Sequence, residues 1–348
     1  MQLRENVPLG PLTTLGVGGP ARYFFEARSE EDVCEAVAWA RARTLPLFVL
    51  GGGSNLVVSD AGWPGLVAKI ALKGVTDHAR EGKRVFDVQA GEDWDEFAAR
   101  TVSAGCAGLE CLSGIPGTVG GTPVQNVGAY GQDVSETIER VRALRLADLS
   151  IVELTNAECA FSYRTSRFNT VDRDRYIILR VSFVLSPGGA PNIEYADLHR
   201  HFAAREARPT LHETRQAVLG IRRAKAMVIE DGEEDSRSAG SFFKNPIVPV
   251  EQYGRIAAAA GHRGIAPPQY PAGDGRVKIP AAWLIEQSGL HKGFRHGPVA
   301  ISRKHTLALV NRGGATAADV LAMKDLVQCR VRETFGVELT PEPVFIGF

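Results

Sequence analysis

The sequence lacks most of the features that would place it quickly. Its five cysteines (Cys34, Cys106, Cys111, Cys159, Cys329) are odd in number and scattered, with no C-x-x-C pair. That argues against a disulfide framework and a zinc site and for plain thiols. None of the eight histidines stands at metal-ligand spacing, so no metal is expected, and His305 reads as a packing residue. Net charge is also missing: forty basic and forty acidic side chains cancel, and no global field favours nucleic acid or an anionic membrane. Any anionic ligand must be held by local charges. Nowhere do eighteen apolar residues run together, and the opening Met-Gln-Leu-Arg-Glu-Asn lacks the apolar core of a signal peptide. The expectation is a cytoplasmic protein with no membrane insertion. No loop ends in Gly-Lys-Ser or Gly-Lys-Thr, against a P-loop nucleotide hydrolase, and no Gly-x-Ser-x-Gly nucleophile elbow is present.

What is present is an ordinary globular composition: 348 residues, 44% hydrophobic and 23% charged. Such a chain buries a large core and exceeds the usual size of one domain. Ser29 caps a helix whose Asp32 completes a capping box, with Val33, Ala36, Val37 and Ala40 on one face and a stop near Pro46. Residues 47–50 read as a buried strand running into Gly51-Gly-Gly-Ser-Asn55. Trp94, Phe97, Ala98 and Val102 mark a second amphipathic helix closed by Gly105, and the β-branched content of 141–154 and 176–185 predicts strands. The first half is therefore α+β. From Thr214 the pattern predicts a long helix through Ile229, then an acidic loop over 230–238, so a domain boundary is set near residue 206. Further helices are expected at 252–260, 281–287 and 317–334, with a strand at 306–311. Gly336 should cap the last helix before an extended tail carrying Glu342. No repeat is found, and a monomer is the default.

Two runs carry most of the functional content. Gly114-Ile-Pro-Gly-Thr-Val-Gly-Gly-Thr-Pro-Val-Gln-Asn-Val-Gly-Ala-Tyr130 holds five glycines and two prolines in seventeen residues, which rules out a long helix and lets main-chain N–H groups approach an anion. With the 51–55 turn, and with the amides of Gln125 and Asn126, it suits a diphosphate cradle beside a polar ring; alternatively, both are tight connections. Gly16-Val-Gly-Gly-Pro-Ala21 is a weak dinucleotide fingerprint, since Pro20 would sit inside the first helical turn. The second run, Gly240-Ser-Phe-Phe-Lys-Asn-Pro246, presents one hydroxyl among aromatic and basic neighbours. By sequence alone Ser241 has no adjacent histidine or lysine and reads as structural, and Arg164 and Glu342 read as surface charges.

Together, Gly51 to Asn55, the 114–130 run, Tyr163-Arg164, the 240–246 run, Trp283-Leu-Ile-Glu-Gln287 and Pro341-Glu342 change that reading. Their order and combination resemble the UDP-N-acetylenolpyruvoylglucosamine reductase (MurB) family over nearly the whole chain. The resemblance implies an α+β flavoprotein with an FAD-binding fold of the vanillyl-alcohol-oxidase (PCMH) type, made of two subdomains (about 1–70 and 71–205). A C-terminal α+β substrate-binding domain (206–335) and a tail (336–348) returning to the active site would follow. It implies noncovalent FAD, because no histidine lies close to Gly51, and NADPH as hydride donor. The reaction implied is reduction of UDP-N-acetylglucosamine enolpyruvate to UDP-N-acetylmuramate, a step in cell-wall precursor synthesis.

By position, FAD would be held by Gly51, Gly52, Gly53, Ser54, Asn55 and Leu56, and by Ser113, Gly114, Ile115, Pro116, Gly117, Thr118, Gly120, Gly121, Gln125, Asn126, Gly128, Ala129 and Tyr130. Ser241 would protonate the substrate carbon, Arg164 would bind its carboxylate, and Glu342 would act protonated or through a hydrogen bond. Tyr195, matching the family form with a mobile tyrosine loop, would close over the UDP diphosphate, with Tyr163, Lys225, Asn245, Gln287 and Lys278 completing the grip. One departure is visible: 230–238 is longer and more acidic than the family pattern suggests. The rivals are another flavoenzyme on the same scaffold and a non-enzymatic flavin- or nucleotide-binding protein.

Overall fold

A computed structural model describes residues 1–261 and 264–348. The chain forms two compact units. The first comprises Met1–Val7, Ala21–Gly53 and Trp63–Val228, and the second Pro8–Pro20, Ser54–Gly62 and Ile229–Phe348.

Two sheets build the first unit. One has the order Arg4–Pro8, Pro20–Ala27, Trp63–Ile70, Leu47–Leu50, and the last three strands pair in parallel. Parallel neighbours need a crossover, and the helix Glu30–Ala42 supplies it. Its Ser29–Asp32 capping box and the buried Val33, Ala36, Val37 and Ala40 are as the periodicity predicts. The weak fingerprint at 16–21 leads into the strand Pro20–Ala27 and into no helix, so it is a structural turn. The second sheet is antiparallel, in the order Ser150–Thr155, Ile138–Arg145, Tyr176–Pro187, Lys83–Gln89, Val75–Arg80. Phe183 and Phe86 face each other across it, and the helix Trp94–Ser103 packs Trp94 and Phe97 against Phe183 at ring distances of 6.0 and 5.1 Å. Trp94 is buried and its indole N–H donates to the Leu112 carbonyl at 2.9 Å, which satisfies the polar end of an otherwise apolar side chain.

The expected boundary near residue 206 is wrong, and so is the helix through Ile229. The helix is Leu211–Ala224, opened by a Thr210–Glu213 capping box, and it belongs to the first unit. The reason is packing: Ala217 and Val218 join a core with Cys111, Tyr130 and Leu198, while Arg215 pairs with Asp95 of the helix Trp94–Ser103. The units divide after Val228.

The second unit is organised by the helix Ala317–Phe335, whose buried Val320, Met323, Val327 and Val331 follow helical spacing. Gly336 ends it at φ 65°, in the left-handed conformation expected of a C-cap glycine. The helices Val250–Gly261 and Ala281–Gln287 pack in the same core. The strand expected over 306–311 is shorter, Leu309–Asn311, because residues before it form a turn; it pairs with Val299–Ile301. The tail strand Val344–Ile346 runs parallel to Leu56–Val58, which explains why 54–62 joins this unit. Asp60 ties the same segment down by accepting from the N–H groups of Ala317 and Ala318 at 2.7 and 3.0 Å. No helix among the described residues is long and apolar enough to cross a membrane.

Asp60 satisfies two of the donors that a helix N-terminus leaves open, and does so across a long sequence separation. Asp60→Ala is expected to destabilise the second unit by about 1–2 kcal/mol, measured as a lowered midpoint of its transition in urea.

Candidate active site

In the first unit, the strand Leu47–Leu50 delivers the glycine turn 51–53 against the long glycine loop. A Cβ on Gly52 would stand 2.5 Å from the Gly117 Cα and 3.0 Å from the Thr118 nitrogen, so the two loops touch backbone to backbone. No residue larger than glycine fits there. Around Gly121 a Cβ would meet nothing within 4 Å, so the loop borders open space. Two glycine loops in mutual contact beside open space suit an anionic dinucleotide, and the residues present fit FAD.

The long loop is fixed at its entry. Gly114, at φ 72°, donates its N–H to Asp95 Oδ1 at 2.6 Å, and its carbonyl accepts from Arg222 Nε at 3.1 Å. Asp95 also receives both guanidinium nitrogens of Arg215, at 2.6 and 2.8 Å. Ser113 is buried and donates to the Glu110 carbonyl at 2.7 Å. Farther on, Gly117 accepts from the Trp94 N–H at 3.1 Å, and Asn126 spans the loop by donating to the Ser162 carbonyl and accepting from the Ser135 N–H, both at 3.1 Å. Asn126, Tyr130 and Arg164 lie at φ 45°, 50° and 56°, a region that non-glycine residues seldom occupy. Strain of that kind concentrates where surrounding structure fixes a functional geometry.

Arg164 sits on a tight turn closed by the Ser162 N–H donating to the Thr165 carbonyl at 3.0 Å. Its guanidinium donates to the Gly128 carbonyl and, at 3.5 Å, to that of Asn126, and it lies 5.5 Å from the Tyr163 ring. The turn thus sets a permanent cation against the exit of the glycine loop. Tyr130 ends that loop edge-on to Tyr195, with ring centres 5.4 Å apart. Tyr195 is 45% exposed at the N-cap of the helix Ala196–Phe202, as a residue free to meet ligand must be. Lys225 caps the helix Leu211–Ala224, pairs with Asp197 at 2.8 Å and stands 5.8 Å from the Tyr130 ring centre. Burial works against its ammonium, but Asp197, Tyr130 and Tyr195 outweigh it and raise its pKa, so Lys225 stays charged. Burial also raises the Tyr130 phenol.

The second unit carries the other candidates. The run containing Ser241 lies beside the tail: the Glu342 N–H donates to the Phe242 carbonyl, and the Lys244 N–H to that of Thr340, both at 2.9 Å. Main-chain pairing therefore brings Ser241 and Glu342 onto neighbouring segments. Asn55 joins them, donating to the Glu342 carbonyl at 3.3 Å and accepting from the Val344 N–H at 2.9 Å. Ser54 accepts from the Thr14 hydroxyl at 3.2 Å, and Leu56 pairs with Val344. Asn245 accepts from the Ala281 N–H at 2.9 Å and so caps the helix that ends at Gln287, while Lys278 pairs with Ile247 on the adjoining strand. A neighbour that the sequence does not reveal is His305, whose Nε2 lies 3.4 Å from Ser241 Oγ. Separated by 64 positions in sequence, the pair is marked by no local spacing.

Comparison with known proteins matches residues 21–155 to an FAD binding domain and residues 232–346 to the C-terminal domain of UDP-N-acetylenolpyruvoylglucosamine reductase. The chain is 47% identical over 351 residues to the UDP-N-acetylenolpyruvoylglucosamine reductase of Thermobifida fusca, covering 99% of this chain and 98% of that one. It is 46% identical over 353 residues to the enzyme of that name in Streptomyces avermitilis, covering 100% and 96%. The crystal structure of the reductase (MurB) from Thermus caldophilus superposes with a TM-score of 0.65 at 28% identity, covering 99% of each chain.

Gly52→Ala is expected to drive the two glycine loops apart and lower the FAD content of the purified protein, read as the ratio of flavin to protein absorbance. A second expectation concerns Asp95. Burial alone would raise its pKa, but Arg215 and the Gly114 N–H hold the ionised form and lower it. A carboxyl lowered on folding contributes stability that is present above its unfolded pKa, near 4, and lost as pH falls through the folded value. Asp95→Asn should reduce the thermal midpoint at pH 7 and flatten its decline below about pH 4, as followed by circular dichroism.

Proposed function

The chain belongs to the UDP-N-acetylenolpyruvoylglucosamine reductase family of FAD-dependent oxidoreductases, and from that premise we propose that NADPH is its hydride donor and Ser241 its proton donor. The substrate is UDP-N-acetylglucosamine enolpyruvate, whose double bond is reduced to the lactyl ether of UDP-N-acetylmuramate. The observation that carries this reading is the main-chain pairing that sets the Ser241 run beside Glu342.

FAD, when bound, supplies hydride to the methylene carbon of the enolpyruvyl group, and negative charge then spreads from the adjacent carbon onto the carboxylate. Arg164 takes that carboxylate. A guanidinium never loses its charge and matches a carboxylate with two donors, so it stabilises the charge as it develops. Ser241 gives its hydroxyl proton to the carbon, a step open to so weak an acid because a carbanion is strongly basic and the geometry is fixed. Glu342 would oppose the developing charge if ionised, so it acts protonated, donating a hydrogen bond.

Lys225 and Tyr195 grip the UDP diphosphate, with Tyr163, Asn245, Gln287 and Lys278 orienting the sugar. The pairing of Lys225 with Asp197 supports this, because it holds the ammonium charged and in place until an anion competes for it. FAD is held noncovalently by residues 51–56 and 113–130.

Ser241→Ala should separate the two half-reactions in anaerobic stopped-flow measurements. Bleaching of the flavin by NADPH is expected at the wild-type rate, and its recovery on adding the enolpyruvyl UDP-sugar should be slower by about 10²–10⁴-fold. Undiminished recovery would remove Ser241 from the chemistry.

A further inference from the structure

A serine that hands its proton to carbon becomes an alkoxide, and an alkoxide with no proton source nearby opposes the step that makes it. The second unit holds such a source beside Ser241. His305 Nε2 lies 3.4 Å from Ser241 Oγ, a separation typical of catalytic pairs before substrate draws them together.

The imidazole is presented by a turn that is braced from behind. Ser302 Oγ accepts from the main-chain N–H groups of Lys304 and His305 at 3.0 and 3.2 Å, and it donates to Asp235 Oδ2 at 2.8 Å. The Arg303 N–H donates to the same carboxylate oxygen at 2.6 Å. Asp235 is 2% exposed, and its other oxygen is paired with Arg312. Directly after the turn, the Phe242 N–H donates to the Leu307 carbonyl at 2.7 Å, which locks the segment carrying Ser241 to the segment carrying His305. The charged groups around the turn are themselves paired: Arg303 with Glu234, Lys304 with Glu233, and Thr306 with Glu286, while Glu342 lies on the segment beside Ser241. The acidic segment 230–238, which had no evident purpose in the sequence, thus supplies the brace.

We propose that His305 is a positioning residue that relays a proton to Ser241, an inference that rests on Ser241 being the proton donor. Its Nε2–H donates into the Ser241 oxygen, which turns the hydroxyl hydrogen away from the ring. As that hydrogen passes to the substrate carbon and forms the new C–H bond, the Nε2 proton of the imidazolium passes to Oγ. The serine is restored, the imidazole is left neutral, and water returns its proton.

The test uses the full-length, FAD-loaded protein. His305→Gln keeps an N–H able to meet Ser241 but has no proton to give. Its flavin should bleach with NADPH as in the wild type and recover with the enolpyruvyl UDP-sugar about 10²-fold more slowly. In the wild type, recovery rates in mixtures of H2O and D2O should fall on a curve, because two protons move together. A measurement that needs no turnover completes the set: Ser241→Ala should shift the His305 Nε2 resonance in long-range proton–nitrogen spectra. Wild-type recovery in His305→Gln, a straight line in the isotope mixtures, or an unmoved resonance would overturn the relay. Should the His305→Gln protein fail to load FAD, the wild-type isotope mixtures decide. A wild-type flavin that bleaches but is never reoxidised by the enolpyruvyl sugar would instead overturn the proposed function itself, which keeps the two failures distinct.

Discussion

Gly114 is held from both sides by charged side chains, and the first unit's candidate site depends on that grip. Its N–H rests on Asp95 and its carbonyl on Arg222, which is 5% exposed. A half-buried carboxylate and a buried guanidinium are costly unless hydrogen-bonded, and here the loop backbone supplies part of that satisfaction. The dependence runs both ways: the loop keeps its path because the charges need partners, and the charges are tolerable because the loop provides them. Arg215 and Arg222 both stand on the helix Leu211–Ala224, so one helix fixes the start of the loop, and Lys225 at its C-cap faces the ring of Tyr130 at the loop's end.

The second unit reaches its site by different means. Ser241 and Glu342 come from widely separated stretches and are aligned by backbone hydrogen bonds, which do not depend on side-chain identity, and the Asn55 side-chain amide adds a bond to the Glu342 carbonyl. Next to Ser241 in sequence, Phe242 and Phe243 are both buried, and their rings pack 5.3 Å apart in the second unit's core.

Local signals in the sequence were reliable. The Ser29–Asp32 capping box, the Gly336 cap and the strand feeding the first glycine loop all stand where propensity and periodicity put them, because each is decided within a few residues. What was not legible depends on distant partners. The unit that the helix Leu211–Ala224 joins is not legible locally, because its Arg215 and Arg222 look like surface charges until Asp95 and the Gly114 carbonyl are known. His305 looked like packing because its partner Ser241 is 64 residues away. The acidic run 230–238 looked like a solvated loop, yet Asp235 is buried beneath a turn. Arg164 carries no sign in the sequence that its backbone lies in the left-handed region.

The composition of the second unit from residues 8–20, 54–62 and 229–348 has a consequence for how the chain is made. A ribosome releases the first two stretches long before the third. Leu15, Val17 and Val57, none more than 2% exposed once folded, therefore wait without a core to enter. At about 5–20 residues per second the wait lasts tens of seconds. During it the strand Leu56–Val58 is without Val344–Ile346, its parallel neighbour from a much later stretch of the chain. Synthesis of residues 344–346 is thus a structural event: it supplies the strand that pairs with Leu56–Val58, and a nascent chain that stalls before them displays an unpaired edge to the cell's surveillance machinery.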